Sequence, residues 1–109
     1  GEYVEKNLKA KPVLIDQCDD WSVYHLATHP DHSYDVHRIN LTTRLTMQTN
    51  NKFHVMSVVE GHSLVVETKN GQCRRYHYAE TFVIPAAAGW VTLINTTSSP
   101  IMIIDAFIK

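Results

Sequence analysis

Histidine is the residue type with the clearest chemical potential in this chain, because its imidazole binds metals and transfers protons near neutral pH. The chain holds seven histidines, and four of them form a cluster along the sequence: His25, His29, His32 and His37. On a helix the first three would share one face, an arrangement suited to zinc. Pro30 disfavours a helix at this point. A solvated polar loop over residues 28–35 is therefore favoured over a metal site.

The other reactive residue types give weaker signals. Cys18 and Cys73 are far apart and match no metal-ligand spacing, so we expect two free thiols and a cytoplasmic protein. Glu60 has no partner carboxylate or nucleophile nearby in the sequence, which favours a surface residue at a strand end. Arg74 and Arg75 point to opposite faces of a strand and cannot form one phosphate clamp.

The elements that must position these residues are strands. From Arg38 to Met47 the odd positions are mostly apolar and the even positions polar, which predicts one strand with one buried face. Asn70-Gly71 between two strand-like runs predicts a hairpin with a type I′ turn, and Pro85 stops a strand or places it at a sheet edge. Further strands are expected at residues 13–15, 21–26, 53–60, 62–69, 72–78, 82–84, 91–95 and 101–108. Many short strands predict a sandwich or barrel.

Length and composition indicate one globular domain. The chain has 109 residues, 44% hydrophobic and 19% charged, with a formal net charge of −1. It lacks the basic face that nucleic-acid binding requires, and no apolar run reaches the roughly 18 residues that span a membrane. Residues 1–12 are expected to form a connector or tail before a barrel over residues 13–109, as in the C-terminal domain of a longer protein.

Three segments carry a resemblance to a known family. They are FHVMSVVEG at residues 53–61, ETFVIPA at residues 80–86 and IMIIDAFI at residues 101–108. Together with the hairpin, their order over residues 36–108 resembles a cupin, and more narrowly the C-terminal cupin domain of class I phosphomannose isomerases. The resemblance implies an all-β fold, a single small antiparallel cupin-type β-barrel or jelly roll.

The resemblance also shows where a metal-binding cupin would place its ligands. The glutamate position falls on His54, the two histidines of the first motif fall within residues 47–50, and the last histidine falls on Trp90. One imidazole does not hold a metal, so we expect no metal, no cofactor and no catalytic residue in this chain. In the isomerases that it resembles, zinc belongs to the preceding N-terminal cupin half.

His54, Trp90 and Met56 are expected to point into the barrel. With Gln48 they are the candidate ligand-binding residues, in an apolar pocket where one imidazole orients a ligand. The alternative, which is favoured, is a filled interior in which Trp90 plugs the former metal site.

Two functions follow from this resemblance. The first is a non-catalytic C-terminal barrel of a mannose-6-phosphate isomerase-like protein, whose parent reaction converts mannose 6-phosphate to fructose 6-phosphate. Its partner would be an N-terminal catalytic cupin half. The second is a free-standing, metal-free cupin that holds a small sugar or metabolite. Either is compatible with a homo-oligomer, and a metal-dependent cupin enzyme is disfavoured.

Overall fold

Alternating apolar and polar residues produce strands along nearly the whole described chain. The computed structural model describes residues 13–26 and 33–108, so the predicted connector at residues 1–12 lies outside it. Within these ranges the strands are β1 (Val13–Gln17), β2 (Trp21–Leu26), β3 (Tyr34–Leu41), β4 (Arg44–Gln48), β5 (His54–Glu60), β6 (Ser63–Thr68), β7 (Cys73–His77), β8 (Thr81–Ile84), β9 (Trp90–Ile94) and β10 (Ile101–Ile108). A single 3₁₀ turn, Ala86–Ala88, follows β8 in the described part.

The strands form two sheets that face each other. One sheet has six strands in the order β1-β2-β3-β10-β5-β8, and the other has four in the order β4-β9-β6-β7. Each pairing is antiparallel. The prediction of an all-β, antiparallel fold is confirmed.

The core lies between the two sheets and is built from the inward faces of β3, β4, β5, β6, β8, β9 and β10, whereas all five residues of β1 are exposed. On β3 and β10 the odd-numbered residues point inward, and Ile39, Leu41, Ile101 and Ile103 are all buried. Burying each such side chain contributes about 1.5–3 kcal/mol to folding before the entropy cost. Members from the other strands are Leu45, Met56, Val58, Leu64, Val66, Phe82, Ile84, Val91 and Leu93.

The strand predicted from Arg38 to Met47 is wrong in one respect, because it is two strands. Thr42 and Thr43 lie between β3 and β4, and their amides donate to the Asp20 carbonyl at 2.8 and 3.1 Å. These bonds hold a bend where the chain passes from the six-stranded sheet to the four-stranded one. The predicted inward face is correct on both sides of the bend, since Leu41 and Leu45 are buried.

The hairpin at Asn70-Gly71 is confirmed, but its predicted type I′ turn is wrong. Gly71 has a φ of 85°, whereas Asn70 is not among the residues with positive φ. The Gly71 amide donates to the Thr68 carbonyl, and the Thr68 amide donates to the Gln72 carbonyl, both at 2.9 Å. This is a three-residue loop, in which only the last position requires a positive φ.

A turn with two positive φ angles joins β4 to β5 instead. Asn50 and Asn51 have φ values of 57° and 62°, and the Lys52 amide donates to the Thr49 carbonyl at 3.1 Å. Both features are those of a type I′ turn, a conformation that asparagine tolerates well. This turn places the Thr49 carbonyl at the barrel interior, beside His54.

Three smaller predictions concern the strand before Pro85, membrane-spanning segments and the two cysteines. Strand β8 ends just before Pro85 and lies at the edge of its sheet, as predicted. In the described ranges, no helix is long and apolar enough to cross a lipid bilayer. Cys18 and Cys73 are both free and exposed, as expected.

Candidate functional site

A pocket of about 500 Å³ opens between the two sheets, and we call it the mouth pocket. Its walls come from β2, β3 and β10 on one side and from β4 with the Asn50-Asn51 turn on the other. Three polar side chains lie deep in it: His37, His54 and Asp105. The remaining lining residues are Ile15, Asp16, Trp21, Val23, Ile39, Leu45, Thr46, Met47, Gln48, Thr49, Asn50, Lys52 and Phe107.

Asp105 occupies an inward position in the middle of β10. It lies directly across from His37 on β3 and from Met56 on β5, and only 2% of it is exposed. Its neighbours on the same face of the strand are Ile103 and Phe107, so the carboxylate enters an otherwise apolar row. A buried carboxylate of this kind requires a hydrogen-bonded partner.

His54, the first residue of β5, is that partner. Its Nδ1 donates to Asp105 Oδ1 at 2.9 Å and lies 3.0 Å from Oδ2. Its Nε2 lies 3.1 Å from the carbonyl oxygen of Thr49. Carboxylate and carbonyl oxygens both accept, so both ring nitrogens must donate, and His54 is an imidazolium.

The pKa of His54 shifts in the direction that this geometry requires. Burial acts to lower its pKa, but the hydrogen bond that His54 donates to Asp105, the negative charge of Asp105 and the Thr49 carbonyl together outweigh burial and raise it. The net result is a pKa above the ordinary histidine value of 6.5. His54 and Asp105 are therefore a buried ion pair that is fully hydrogen-bonded at His54.

His37, on the other side of Asp105, behaves in the opposite way. Burial lowers its pKa below 6.5, and the charges of Asp105 and Asp35 do not offset that effect. Its ring packs edge-on against Phe107 with centroids 4.8 Å apart. Within the described residues its ring nitrogens form no hydrogen bond, so His37 presents a neutral imidazole with unpaired nitrogens to the mouth pocket.

A second imidazole–carboxylate pair extends this row toward the rim. His25 Nε2 lies 2.7 Å from Asp35 Oδ1, and the His25 ring lies 5.8 Å from the ring of His37. Burial acts to raise the pKa of Asp35, but the bond to His25, the Val36 amide and the nearby histidine charges lower it overall. The row thus contains Asp35, His25, His37, Asp105 and His54, with the imidazoles of His25 and His37 as direct neighbours.

The histidine cluster predicted from the sequence is only partly within the described residues. His25 and His37 are cross-strand neighbours on β2 and β3, whereas His29 and His32 lie outside the described ranges. The predicted polar loop over residues 28–35 is wrong at its end, because Tyr34 and Asp35 belong to β3. Pairing with β10, which extends to Tyr34, adds these two residues to the strand.

The positions that hold metal ligands in related barrels carry other groups here. The Thr49 hydroxyl donates to the Ala86 carbonyl at 2.8 Å, and both nitrogens of His54 are engaged in hydrogen bonds. In the described part of the chain, no group of three or more His, Cys, Asp or Glu side chains could hold a metal ion. The described residues at these positions therefore do not fit a cupin metal centre.

Trp90 is not a core plug, and that prediction is wrong. It is 39% exposed and pairs with Gln48 on the outer face of the four-stranded sheet. Gly89, with a φ of 78°, precedes it, and the strand that follows directs Val91 and Leu93 inward instead, both fully buried. Trp90 and Gln48 line a shallow outer groove together with Arg44, Thr46, Glu67, Thr68, Lys69, Gly71 and Thr92.

Two of the three residues that were predicted to point into the barrel do so. His54 is 4% exposed and lines the mouth pocket, whereas Met56 is fully buried in the core beneath it. Gln48 is exposed and contributes to the edge of the mouth pocket as well as to the outer groove. Whether any of the four candidate residues binds a ligand stays a prediction.

Sequence reasoning missed Asp105, and it grouped His37 with His25, His29 and His32 without placing it in the barrel interior. A signal was present for Asp105, because it interrupts an apolar strand at a position that shares its face with Ile101 and Ile103. A carboxylate at an inward position indicates a buried partner. For His37 the signal was its odd-numbered place in the same alternation as Ile39 and Leu41.

Comparison with protein-family models and with the sequences of curated proteins finds no match. Solved structures share the architecture at low identity. The Cnp3 cupin domain of Schizosaccharomyces pombe has a TM-score of 0.67 and 7% identity, over 87% of this chain and 64% of that one. KdgF from Halomonas sp. has a TM-score of 0.66 and 17% identity, over 87% of this chain and 85% of that one.

A third structure is matched over nearly its full length. It is a putative ethanolamine utilization protein from Salmonella typhimurium, with a TM-score of 0.68 and 12% identity. The match covers 91% of this chain and 96% of that one. By contrast, this chain spans less than two thirds of the Cnp3 domain and 56% of HutD from Pseudomonas fluorescens. Identities this low establish architecture alone. The chain is a domain with the cupin fold.

Proposed function

We propose that this domain binds a small hydroxylated molecule, a sugar in the first place, in the mouth pocket and catalyses no reaction itself. The observation that supports this most is His37, a half-buried imidazole that lines the pocket with no hydrogen-bond partner among the described residues. Polar groups inside a protein are normally paired. A ligand hydroxyl would supply the partner, either accepting from the ring N–H or donating to the other nitrogen.

The rest of the pocket suits the same class of ligand. Trp21 offers a partly buried aromatic wall, and Met47 adds apolar surface. Asp16, Asn50 and Lys52 provide one acceptor, one amide and one cation at the lining. A mostly apolar pocket of about 500 Å³ with a few convergent polar groups has the size and character of a small-molecule site.

In this proposal His37 contacts the ligand, and the two buried groups beside it, His54 and Asp105, are engaged with each other and not available for catalysis. Both ring nitrogens of His54 already donate hydrogen bonds, and Asp105 accepts from one of them. A general acid or base must reach the substrate's proton directly or through one water. His54 has no free nitrogen with which to do so, and its role is to hold the base of the pocket rigid.

Titration calorimetry tests this proposal by measuring the affinity for mannose, fructose and mannose 6-phosphate. The affinities of two matched tryptophan variants are compared with that of the unmodified chain. Trp21→Leu keeps apolar bulk but removes the aromatic wall, and it should weaken binding about tenfold. Trp90→Leu, on the outer sheet, should leave the affinity unchanged. Binding that is lost in Trp90→Leu and kept in Trp21→Leu would place the ligand on the outer groove instead.

For the parent protein, we propose a mannose-6-phosphate isomerase-like enzyme in which this barrel is the non-catalytic C-terminal domain. The segments FHVMSVVEG and ETFVIPA support this parentage, and the zinc and the partner half would then precede this chain. A coupled assay for fructose 6-phosphate should find no turnover of mannose 6-phosphate by this chain. Turnover that survives chelation and repurification would contradict the proposal.

The alternative is a free-standing, metal-free cupin that uses the same mouth pocket. It is supported by the Salmonella structure, in which a barrel of this size accounts for 96% of the chain in the solved structure. The length of the parent gene product separates the two, because the first requires a preceding domain with a zinc motif. A cytoplasmic location fits both and rests on the two free thiols.

A further inference from the structure

A second pocket lies away from the mouth pocket, between the β6–β7 hairpin and the chain that follows β8. It has a volume of about 460 Å³, and we call it the hairpin pocket. Its polar side chains come from the hairpin and include two cations, Lys69 and Arg74. The other lining residues are Val66, Thr68, Asn70, Gln72, Tyr76, Val83, Ile84, Pro85, Ala87, Ala88 and Val91.

The strand register turns Arg74 toward this pocket. Val66 on β6 pairs with Arg74 on β7, and Leu64 pairs with Tyr76. Paired residues share a face of the sheet, and Leu64 and Val66 are both buried, so Arg74 and Tyr76 are on the inward-facing side. Tyr76 stacks on Phe82 with centroids 3.9 Å apart and planes 12° apart, which fixes one wall of the pocket.

Lys69 reaches the same region because Gly89 has no side chain. A Cβ at Gly89 would lie 3.0 Å from the Lys69 Nζ, and 3.6 Å from its Cδ. The ammonium group therefore passes over the glycine, next to the 3₁₀ turn that lines the pocket. Any larger residue at Gly89 would displace it, and the φ of 78° also favours glycine at this position.

Neither cation has a partner within the described residues. Lys69 and Arg74 form no ion pair or side-chain hydrogen bond there, and no described residue that lines the hairpin pocket is acidic. Arg75, the next residue, differs: it is on the opposite face and bonds to Ser63 Oγ at 3.2 Å and Thr96 Oγ1 at 3.5 Å. Two unpaired cations beside a concave apolar surface create a local positive potential.

We propose that the hairpin pocket binds a small organic anion, a carboxylate or a phosphate monoester with an apolar body. The anionic head lies between Lys69 and Arg74, whose guanidinium suits bidentate contact with either group. The apolar body lies against Tyr76 and Val91. This site is independent of the mouth pocket and of the function proposed for it.

Titration of the ¹⁵N-labelled chain followed by NMR tests the site, with benzoate, phenyl phosphate and benzyl alcohol as probes. Both anions should cause saturable shifts at the amides of Arg74, Tyr76, Ala88 and Val91, with a Kd near 1 mM, as expected for about ten non-hydrogen atoms. Benzyl alcohol has the same ring and no charge, and it should bind at least about tenfold more weakly. Comparison of the two anions identifies the preferred head group.

Charge-removing variants provide the control. Arg74→Gln and Lys69→Gln should each weaken phenyl phosphate binding about tenfold or more, whereas Arg75→Gln removes the same charge from the other face and should change it little. The side chains of Lys69, Arg74 and Arg75 are all exposed, so we expect the three variants to fold like the unmodified chain. The proposal is overturned if no anion gives saturable shifts, if benzyl alcohol binds equally well, or if Arg75→Gln weakens binding as much as Arg74→Gln. Trp21→Leu should leave these shifts intact, which separates this site from the mouth pocket.

Discussion

His54 donates from Nδ1 to the carboxylate of Asp105 at 2.9 Å, and side-chain exposures of 5% and 2% show that the pair is buried. The Thr49 carbonyl at Nε2 completes the hydrogen bonding of the ring. Three elements meet in this contact: β10 supplies the carboxylate, β5 the imidazole and the β4–β5 turn the carbonyl. The base of the mouth pocket therefore depends on one charged, fully engaged histidine.

The two histidines beside Asp105 should titrate on opposite sides of 6.5. The pKa of His54 is raised, chiefly by its bond to Asp105 against the opposing effect of burial, and the pKa of His37 is lowered by burial. Imidazole carbon-bound proton shifts followed by NMR against pH measure both. If His54 loses its proton at a lower pH than His37, the assigned ion pair does not exist.

These shifts have opposite consequences for stability. The stabilisation from His54 is fully present below 6.5, its unfolded value, and is lost as pH rises through its raised folded pKa. His37 favours its neutral form in the folded state, so its contribution is lost as pH falls from 6.5 through its lowered folded pKa. Together the two groups favour a stability maximum near pH 6.5, which denaturant unfolding at several pH values measures.

Removal of Asp105 should be far more costly than removal of a similar carboxylate at the rim. Asp105→Ala leaves the His54 imidazolium buried and unpaired, and we expect a loss of about 3–5 kcal/mol in the free energy of unfolding. Asp35→Ala breaks the pair with His25, in which the two side chains are 38% and 23% exposed, and it should cost about 1 kcal/mol or less. Urea unfolding of both variants gives the comparison, and equal losses would contradict it.

Trp90→Ala should have a small effect on stability, in keeping with its place on the outer face. With the side chain 39% exposed, we expect a cost of about 1 kcal/mol. Leu93→Ala, three residues along the same strand and fully buried, should cost about 2–5 kcal/mol because it leaves a cavity. If thermal unfolding shows Trp90→Ala to be as damaging as Leu93→Ala, the register of β9 described above is wrong.

The purified chain, freed of any affinity tag, should contain well under one equivalent of zinc, iron or manganese. His54 has no free nitrogen. The two histidine positions of the first motif fall within residues 47–50, which hold no histidine, and the last histidine position falls on Trp90. Elemental analysis gives the metal content. A stoichiometric metal that disappears in His54→Gln would overturn this account of the barrel interior.

The strands, the Asn70-Gly71 hairpin and the edge position of β8 could be predicted from the sequence. They follow from the local alternation of apolar and polar residues and from turn-forming residues. The inward orientation of His54 and Met56 was predicted from the resemblance to cupin barrels. Trp90 could not be placed correctly, since the positive φ of Gly89 and the pairing of β9 with β4 decide which residue of β9 faces inward. The grouping of His37 and Asp105 with His54 was missed, because these residues are neighbours only across three strands that are distant in sequence.

The central claim is that the mouth pocket, and not the outer sheet, binds a hydroxylated ligand, and the two tryptophans of the chain report on the two places. Trp21 lines the mouth pocket and Trp90 lines the outer groove. Each indole N–H gives its own signal in a ¹H–¹⁵N NMR spectrum. One titration of the unmodified chain with mannose therefore follows the Trp21 and Trp90 signals together. We predict a saturable shift of the Trp21 signal and an unmoved Trp90 signal. A titration that moves the Trp90 signal alone would contradict the claim. So would a titration in which neither signal moves at the highest mannose concentration reached.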